Sequence, residues 1–154
     1  MALTQSEADH LLGMAKEFLD SDPLIYPKSQ PLKYDRPLRS ADRREQFFLT
    51  VERGNRNRAR LKYQTRGRGV IVLARVEFNG RAHRNPPDSP YRPGERLDCP
   101  HIHIYREGFD DRIAYDVTDV SALALRDSAN GLFCLEDFLR FCNVQHWPQI
   151  QFEI

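Results

Sequence analysis

Apolar positions recur with two different periods along the 154-residue chain. In residues 4–20 they repeat every three to four positions, which predicts an amphipathic helix. Thr4 followed by Glu7 matches a capping box and marks the start of that helix. The same helical period returns in residues 131–142, so a second helix is predicted near the C-terminus.

Between these helices, apolar and polar residues alternate, as is typical of half-buried β-strands. Three alternating segments separated by short glycine-containing turns predict an antiparallel meander. Two more alternating segments follow it. The five predicted strands are 46–54, 58–66, 70–80, 101–107 and 112–120.

Two segments follow neither period. Residues 22–45 contain four prolines among polar residues, so we expect an irregular connection along the surface. The predicted loop 79–100 exceeds the usual loop length, which marks it as functional or disordered. We therefore predict an α+β fold: a five-stranded, mostly antiparallel sheet with the N-terminal and C-terminal helices packed on one face. A single domain, 1–154, would contain the helix and connection (1–45), the sheet (46–120), and the closing helix and tail (121–154).

Composition favours a soluble globular protein, with 40% hydrophobic residues, 29% charged residues and a net charge of +1. No apolar run approaches the roughly 18 residues that a membrane-spanning helix needs, and the N-terminus lacks a secretion signal. The three cysteines have no CxxC spacing. We therefore expect a cytoplasmic protein without disulfides and without a membrane partner.

Positive charge is concentrated in one segment, because residues 53–68 contain seven Lys or Arg and no acid. Side chains alternate along a strand, so most of these cations would line one face. Phosphate backbones are the commonest ligand of such a face, and a solvated surface that protects the sheet edge is the alternative. The candidate nucleic-acid-binding residues are Arg56, Arg58, Arg60, Lys62, Arg66 and Arg68.

A histidine set provides the candidate chemistry. His101, His103 and Tyr105 are predicted on one face of a strand, and His83 lies in the loop before it. Imidazoles exchange protons near neutral pH, so this set would suit metal-free RNA cleavage, in which a 2′-hydroxyl attacks the adjacent phosphate. All four are candidate catalytic residues, and no cofactor or metal is expected for this chemistry.

Two other interpretations of the histidines remain open. The HxH pair with His83 or Asp98 would supply three ligands for a catalytic metal. Alternatively, the imidazoles are structural and form hydrogen bonds with loop carbonyls.

Three motifs carry a family resemblance: "HRNP" (83–86), "CPHIHIYREGFDDRIAYDV" (99–117) and "FLRFCNV" (138–144). With them the chain resembles an uncharacterised family of small bacterial and mobile-element proteins. In that family an alternating strand ending in an acidic residue leads to an H-x-N-P-D-G loop, and P-H-I-H-I-Y-R-E-G and a helix closing with Y-C-N-I follow. Here the longer "NPPDSPYRPGERLD" replaces the short loop. The family has no assigned activity.

The arrangement is also similar to small toxins of toxin–antitoxin pairs, which combine a basic sheet, an HxH-like motif and a closing helix. The leading hypothesis is therefore a nucleic-acid-binding protein, a metal-independent endoribonuclease of toxin type with RNA as favoured ligand and a cognate antitoxin as partner. One alternative is a non-catalytic phage or mobile-element protein that inhibits a host nucleic-acid machine by protein contact. Another is a metal-dependent hydrolase.

Overall fold

A computed structural model describes residues 2–28, 30–128 and 131–152. It combines a large β-sheet with two short α-helices, which confirms the predicted α+β class. In chain order the elements are α1 (Gln5–Gly13), β1 (Lys16–Phe18), β2 (Leu24–Tyr26), β3 (Leu32–Ser40), β4 (Gln46–Arg53), β5 (Leu61–Gly67), β6 (Ile71–Phe78), β7 (His83–Arg84), β8 (Arg96–Leu97), β9 (His101–Ile104), β10 (Ala114–Asp116), α2 (Leu135–Phe141), β11 (Val144–Gln145) and β12 (Ile150–Phe152).

Within the described residues, the main sheet has eight strands rather than the predicted five, in the order β10-β9-β6-β5-β4-β3-β1-β11. Neighbouring strands are antiparallel except β1 and β11, which are parallel. The predicted meander is formed by β4, β5 and β6. Since β9 lies directly beside β6, only one strand separates the histidine strand from the basic strand β5.

The prediction of an irregular connection in residues 22–45 is wrong, because the segment contains β2 and the nine-residue strand β3. Strand β3 pairs along its length with β4 and, at its end, with β1. Pro37 lies just beyond the β1 pairing, where β3 has a neighbour on one side only. Proline is tolerated at such edge positions, so its presence did not exclude a strand.

Both helices are shorter than predicted. The predicted capping box of Thr4 and Glu7 is present, but α1 ends at Gly13 instead of continuing to residue 20. The next residues form β1, which pairs with β3 and β11, so tertiary pairing overrides the helical pattern. The closing helix is limited to α2 and follows a 3₁₀ turn. Neither α-helix is long and apolar enough to cross a membrane, in the part of the chain that the structure describes.

The helices and one face of the main sheet share a hydrophobic core. Buried residues of α1 (Leu11) and of α2 (Phe138) join the same cluster as Phe47 on β4 and Tyr63 on β5. Burial alternates along β5 without interruption, as its sequence predicts. The opposite face of the sheet is polar, and it carries the candidate functional residues.

The loop 79–100 is ordered and folds onto the β9–β10 end of the sheet. Within it, β7 and β8 form a short antiparallel hairpin. The Asn85 side chain accepts a hydrogen bond from the Ala114 N–H at 2.8 Å and donates one to the Ala114 carbonyl at 3.0 Å. The Tyr91 ring lies 4.6 Å from the Tyr115 ring. These contacts hold the loop against β10, and His83 of the same loop packs on the ring of His103 in the histidine strand β9, so we call it the covering loop.

Lys16 is a buried cation that connects the ends of both helices. Its Nζ donates hydrogen bonds to the carbonyl oxygens of Leu12 at 2.7 Å, Met14 at 3.0 Å and Cys142 at 2.7 Å. Nζ also lies 4.7 Å from the centre of the Phe47 ring. Helix C-termini concentrate partial negative charge, which favours a cation there. Burial lowers the pKa of Lys16 to about 8.

Replacing Lys16 with Met should lower the free energy of unfolding by about 2–4 kcal/mol, because a buried carbonyl that loses its donor costs about 1–3 kcal/mol and the half-buried carbonyls of Leu12 and Met14 add less than the buried one of Cys142. Lys33→Met is the matched control, since Lys33 is exposed on β3 and should change stability by less than about 0.5 kcal/mol. Urea denaturation at neutral pH measures both. Equal stabilities of the two variants would contradict the role of Lys16.

Candidate functional site

The candidate site begins with the register between β6 and β9. Glu77 lies directly opposite His101, and Arg75 lies opposite His103. Side chains at paired positions share one face of a sheet. The two histidines and these two charged residues therefore lie together on the polar face, away from the helices.

Charges alternate in sign across this face. Successive pairings place six residues in one row perpendicular to the strands. Opposite charges on neighbouring strands attract, so the row stabilises the register of the sheet. The row consists of Lys33, Glu52, Lys62, Glu77, His101 and Asp116, from β3 to β10.

The Glu77 carboxylate is the point on which both imidazoles converge. Its Oε2 lies 3.2 Å from Nε2 of His101 and 3.3 Å from Nε2 of His103. Its Oε1 accepts a hydrogen bond from Arg60 at 3.1 Å. The donor atoms of Glu77, His101 and His103 all lie within 4.8 Å of one another, which is close enough for all three to contact one metal ion.

The other ring nitrogens face backbone carbonyls. Nδ1 of His103 lies 2.8 Å from the Asp111 carbonyl oxygen. Nδ1 of His101 lies 3.2 Å from the Asp98 carbonyl oxygen and 3.8 Å from the Cys99 thiol. A carbonyl oxygen only accepts, so these contacts assign a proton to each Nδ1 and direct each Nε2 towards Glu77.

Both imidazoles are buried. His101 is 0% and His103 2% exposed, and the Glu77 side chain is 13% exposed. His83, on the covering loop, packs edge to face on His103 with 4.7 Å between ring centres, and its Nε2 lies 2.7 Å from the Arg112 carbonyl oxygen. Three of the four candidate catalytic residues are therefore brought together beneath or within the cover.

Tyr105, the fourth candidate, lies elsewhere. Strand β9 ends at Ile104, and the Tyr105 N–H bonds to the carbonyl of Leu73, the extra residue of a β-bulge in β6. The Tyr105 side chain belongs to the hydrophobic core, and its hydroxyl bonds to the backbone N–H and carbonyl of Leu3. Its position ties the N-terminus to the sheet.

Burial and hydrogen bonding act in opposite directions on the site's pKa values. Burial raises the pKa of Glu77, but hydrogen bonds with His101 and His103 and the charge of Arg75 outweigh it and hold the pKa below its usual range. Burial lowers the pKa of His101, yet contacts with Cys99 and Glu77 prevail and raise it to about 9. For His103 burial prevails, and the pKa is lowered. The two imidazoles are thus electrostatically distinct.

Most of the predicted basic row is neutralised by acids from other strands or loops. Because each such cation has a carboxylate partner, it offers little net charge to a ligand. Arg60 pairs with Glu77 (3.1 Å), Lys62 with Glu52 (3.0 Å), Arg66 with Asp35 (3.4 Å) and Arg68 with Glu45 (3.3 Å). The other two candidates, Arg56 and Arg58, precede β5 in an exposed turn.

The covering loop contains four arginines outside the predicted set, and three of them have no acidic partner among the described residues; the fourth, Arg92, pairs with Asp119. Arg84 and Arg96 are directly opposite each other in the β7–β8 pairing, and both are exposed. With Arg81 and Ala82 they line one surface depression. Like charges directly opposite on two strands repel each other, so this arrangement favours a bound anion.

The turn that carries Arg56 and Arg58 packs beside the start of this loop. The Asn57 side chain donates a hydrogen bond to the Asn79 carbonyl at 2.9 Å, and the Asn79 side chain donates one to the Ala59 carbonyl at 3.1 Å. We call the five exposed arginines of these two segments that lack an acidic partner the arginine corner. Its members are Arg56, Arg58, Arg81, Arg84 and Arg96, and none of them forms an ion pair with an acid among the described residues.

Sequence analysis missed Glu77 and the three loop arginines. Glu77 is the sole acid of β6, and an acid at the end of an alternating strand was part of the family pattern. That signal marked the residue without revealing its partners, because the partners depend on which strand lies beside β6. The loop arginines were overlooked because the loop had no predicted place on the sheet.

Glu77→Gln should lower the free energy of unfolding by about 3–5 kcal/mol, the usual cost of removing one partner from a buried ion pair. The matched control Glu52→Gln removes a carboxylate from the same row. Glu52 is 30% exposed at its side chain, so that change should cost under about 1 kcal/mol. Denaturant unfolding of both variants measures the two losses of unfolding free energy. Equal losses would contradict a central role of Glu77 in stabilising this face.

Comparisons with known proteins place this chain in a family. A family model described as a family of unknown function matches residues 3–144, a range that includes Glu77, His101 and His103. No curated protein and no solved structure matches the chain. The expectation of an uncharacterised family is therefore confirmed. The chain belongs to DUF6978, a family of unknown function.

Proposed function

We propose that the protein binds the phosphate backbone of a nucleic acid through the arginine corner, with RNA as the favoured ligand. The observation that carries this proposal is the contrast between two sets of cations. The cations on β5 have carboxylate partners, whereas the five arginines of the corner have none among the described residues. The corner therefore offers a polyanion a cluster of cations without acidic partners among the described residues.

Arginine suits this role because its planar guanidinium donates paired hydrogen bonds to phosphate oxygens. Each phosphate neutralised also releases condensed counterions, which makes binding favourable and dependent on salt. The mutual repulsion of Arg84 and Arg96 would be relieved by a phosphate between them. An extended chain of phosphates would contact both the loop and the adjacent 54–60 turn.

The geometry supports binding better than metal-independent cleavage by the histidines. In that mechanism an imidazole nitrogen must come within hydrogen-bond reach of a 2′-hydroxyl. His101 and His103 are buried, and their Nε2 atoms face Glu77 while their Nδ1 atoms face carbonyls. Substrate access would require the loop 79–100 to leave the sheet.

Removing two charges from the corner should weaken binding of a short single-stranded RNA about tenfold or more, or about 1.4 kcal/mol. The variant is Arg84→Gln/Arg96→Gln. Its slope of log K against log salt should fall by about 1.4, because each phosphate contact to a single strand contributes about 0.7. Fluorescence anisotropy over a salt series measures both quantities.

The matched control is Lys62→Gln/Arg66→Gln, which removes two cations that already have carboxylate partners. It should leave the affinity nearly unchanged. Equal weakening by the two double variants would contradict the arginine corner, and absence of wild-type binding to RNA at low salt would overturn the proposed function. Duplex DNA in parallel tests the preference for RNA.

With EDTA present, the wild-type protein should leave a labelled RNA intact, because both candidate catalytic imidazoles are covered. Gel analysis after prolonged incubation checks this. Cleavage that persists in EDTA and disappears in His101→Ala and His103→Ala would instead restore the metal-independent ribonuclease of toxin type.

A further inference from the structure

We propose that Glu77, His101 and His103 bind one divalent metal ion of the zinc class through Glu77 Oε2 and the Nε2 atoms of the two histidines. This inference does not rest on nucleic-acid binding. It comes from the convergence of three donor atoms from neighbouring strands, a geometry that the HxH spacing alone did not establish. All three lie within 4.8 Å of one another.

The separations between donors match a coordination sphere. At metal–ligand distances of about 2.1 Å, two donors of a tetrahedral zinc site lie about 3.4 Å apart. Glu77 Oε2 lies 3.2 Å from Nε2 of His101 and 3.3 Å from Nε2 of His103. Two of the three separations therefore match a zinc site, and the third, between the two Nε2 atoms, is at most 4.8 Å.

The outer contacts of the two imidazoles also match those of metal ligands. A metal-binding histidine usually donates its second ring N–H to a carbonyl or carboxylate, which fixes the ring and leaves a lone pair for the metal. His103 has this contact with the Asp111 carbonyl and His101 with the Asp98 carbonyl. Binding of the ion displaces any proton from each Nε2, so that two nitrogen lone pairs and one carboxylate oxygen face the same positive charge.

The neighbouring arginines leave Oε2 of Glu77 available to bind a metal ion. Arg60 bonds to the other oxygen, Oε1, at 3.1 Å. Arg75 lies 3.8 Å from Oε2, but its guanidinium forms a closer ion pair with Asp111 at 2.7 Å. Glu77 would therefore coordinate through one oxygen only.

The ligand set favours one class of metal. Imidazole ligands suit zinc and neighbouring transition metals, whereas magnesium and calcium prefer oxygen donors. Three protein ligands also leave one position of a tetrahedral site for water or a substrate oxygen, as in catalytic zinc sites. The covering loop, which carries His83 and three of the corner arginines, packs on this part of the sheet through His83.

The test starts from full-length protein freed of metal with a chelator. Titration with Zn²⁺ should load one ion per chain, as measured by mass spectrometry of metals after desalting, and should raise the melting temperature; Mg²⁺ should do neither. Co²⁺ should give the visible absorption of a low-symmetry site. Wild-type protein that takes up neither Zn²⁺ nor Co²⁺ would overturn the proposal without any variant.

Variants locate the ion. His101→Ala/His103→Ala and Glu77→Gln should each lose the bound ion, whereas His10→Ala/His146→Asn, which removes two exposed histidines, should keep it. Retention of the ion by the first two variants would place it elsewhere. A sulfur-to-cobalt charge-transfer band would also contradict the proposed ligands, because the set contains no cysteine. RNA affinity, measured separately, is not a criterion for this site.

Discussion

The burial of the Glu77 carboxylate is the constraint on which the polar face depends. A charge removed from water costs several kcal/mol unless partners compensate it. Here β9 supplies two imidazoles, and Arg60 and Arg75 supply guanidinium groups. This requirement fixes the β6–β9 register and explains why a loop rich in polar contacts covers that end of the sheet. The row of alternating charge that contains Glu77 extends the same principle from β3 to β10.

The sequence predicted the parts of the fold that are governed by local pattern. The alternation in β4–β6 and the capping box of α1 depend on neighbouring residues, and both are present. Strand β1 was missed because its partners lie far away in the chain, whereas β3, which pairs with the next strand β4, was missed because of its proline. Lys16 follows a helical pattern, but it lies in β1 and pairs with Ser40 and Val144. Pro37 argued against a strand at β3, although the second neighbouring strand, β1, is too short to reach Pro37.

The candidate site also combines features that the local sequence predicted with features that depend on strand order. The histidines were identifiable because imidazoles at alternate strand positions share a face, and His83 does join them. Their carboxylate partner was not identifiable, because it depends on strand order. The basic row looked uncompensated for a similar reason: its acids, Glu52 and Asp35, come from other strands. When those ion pairs are taken into account, the cluster of arginines without acidic partners among the described residues lies on the covering loop and the adjacent turn rather than on β5.

The polar side of the protein thus contains two distinct features: a converging carboxylate–imidazole centre and an exposed arginine corner. The covering loop belongs to both, because it carries His83, which packs on His103, and the paired arginines Arg84 and Arg96. Metal binding at the carboxylate–imidazole centre is the main proposal. X-ray absorption at the zinc edge of the zinc-loaded protein tests it most directly. The proposed site requires nitrogen and oxygen ligands at about 2.0–2.2 Å with the scattering pattern of two imidazoles. A shell of sulfur at about 2.3 Å, or fewer than two imidazoles, would contradict it.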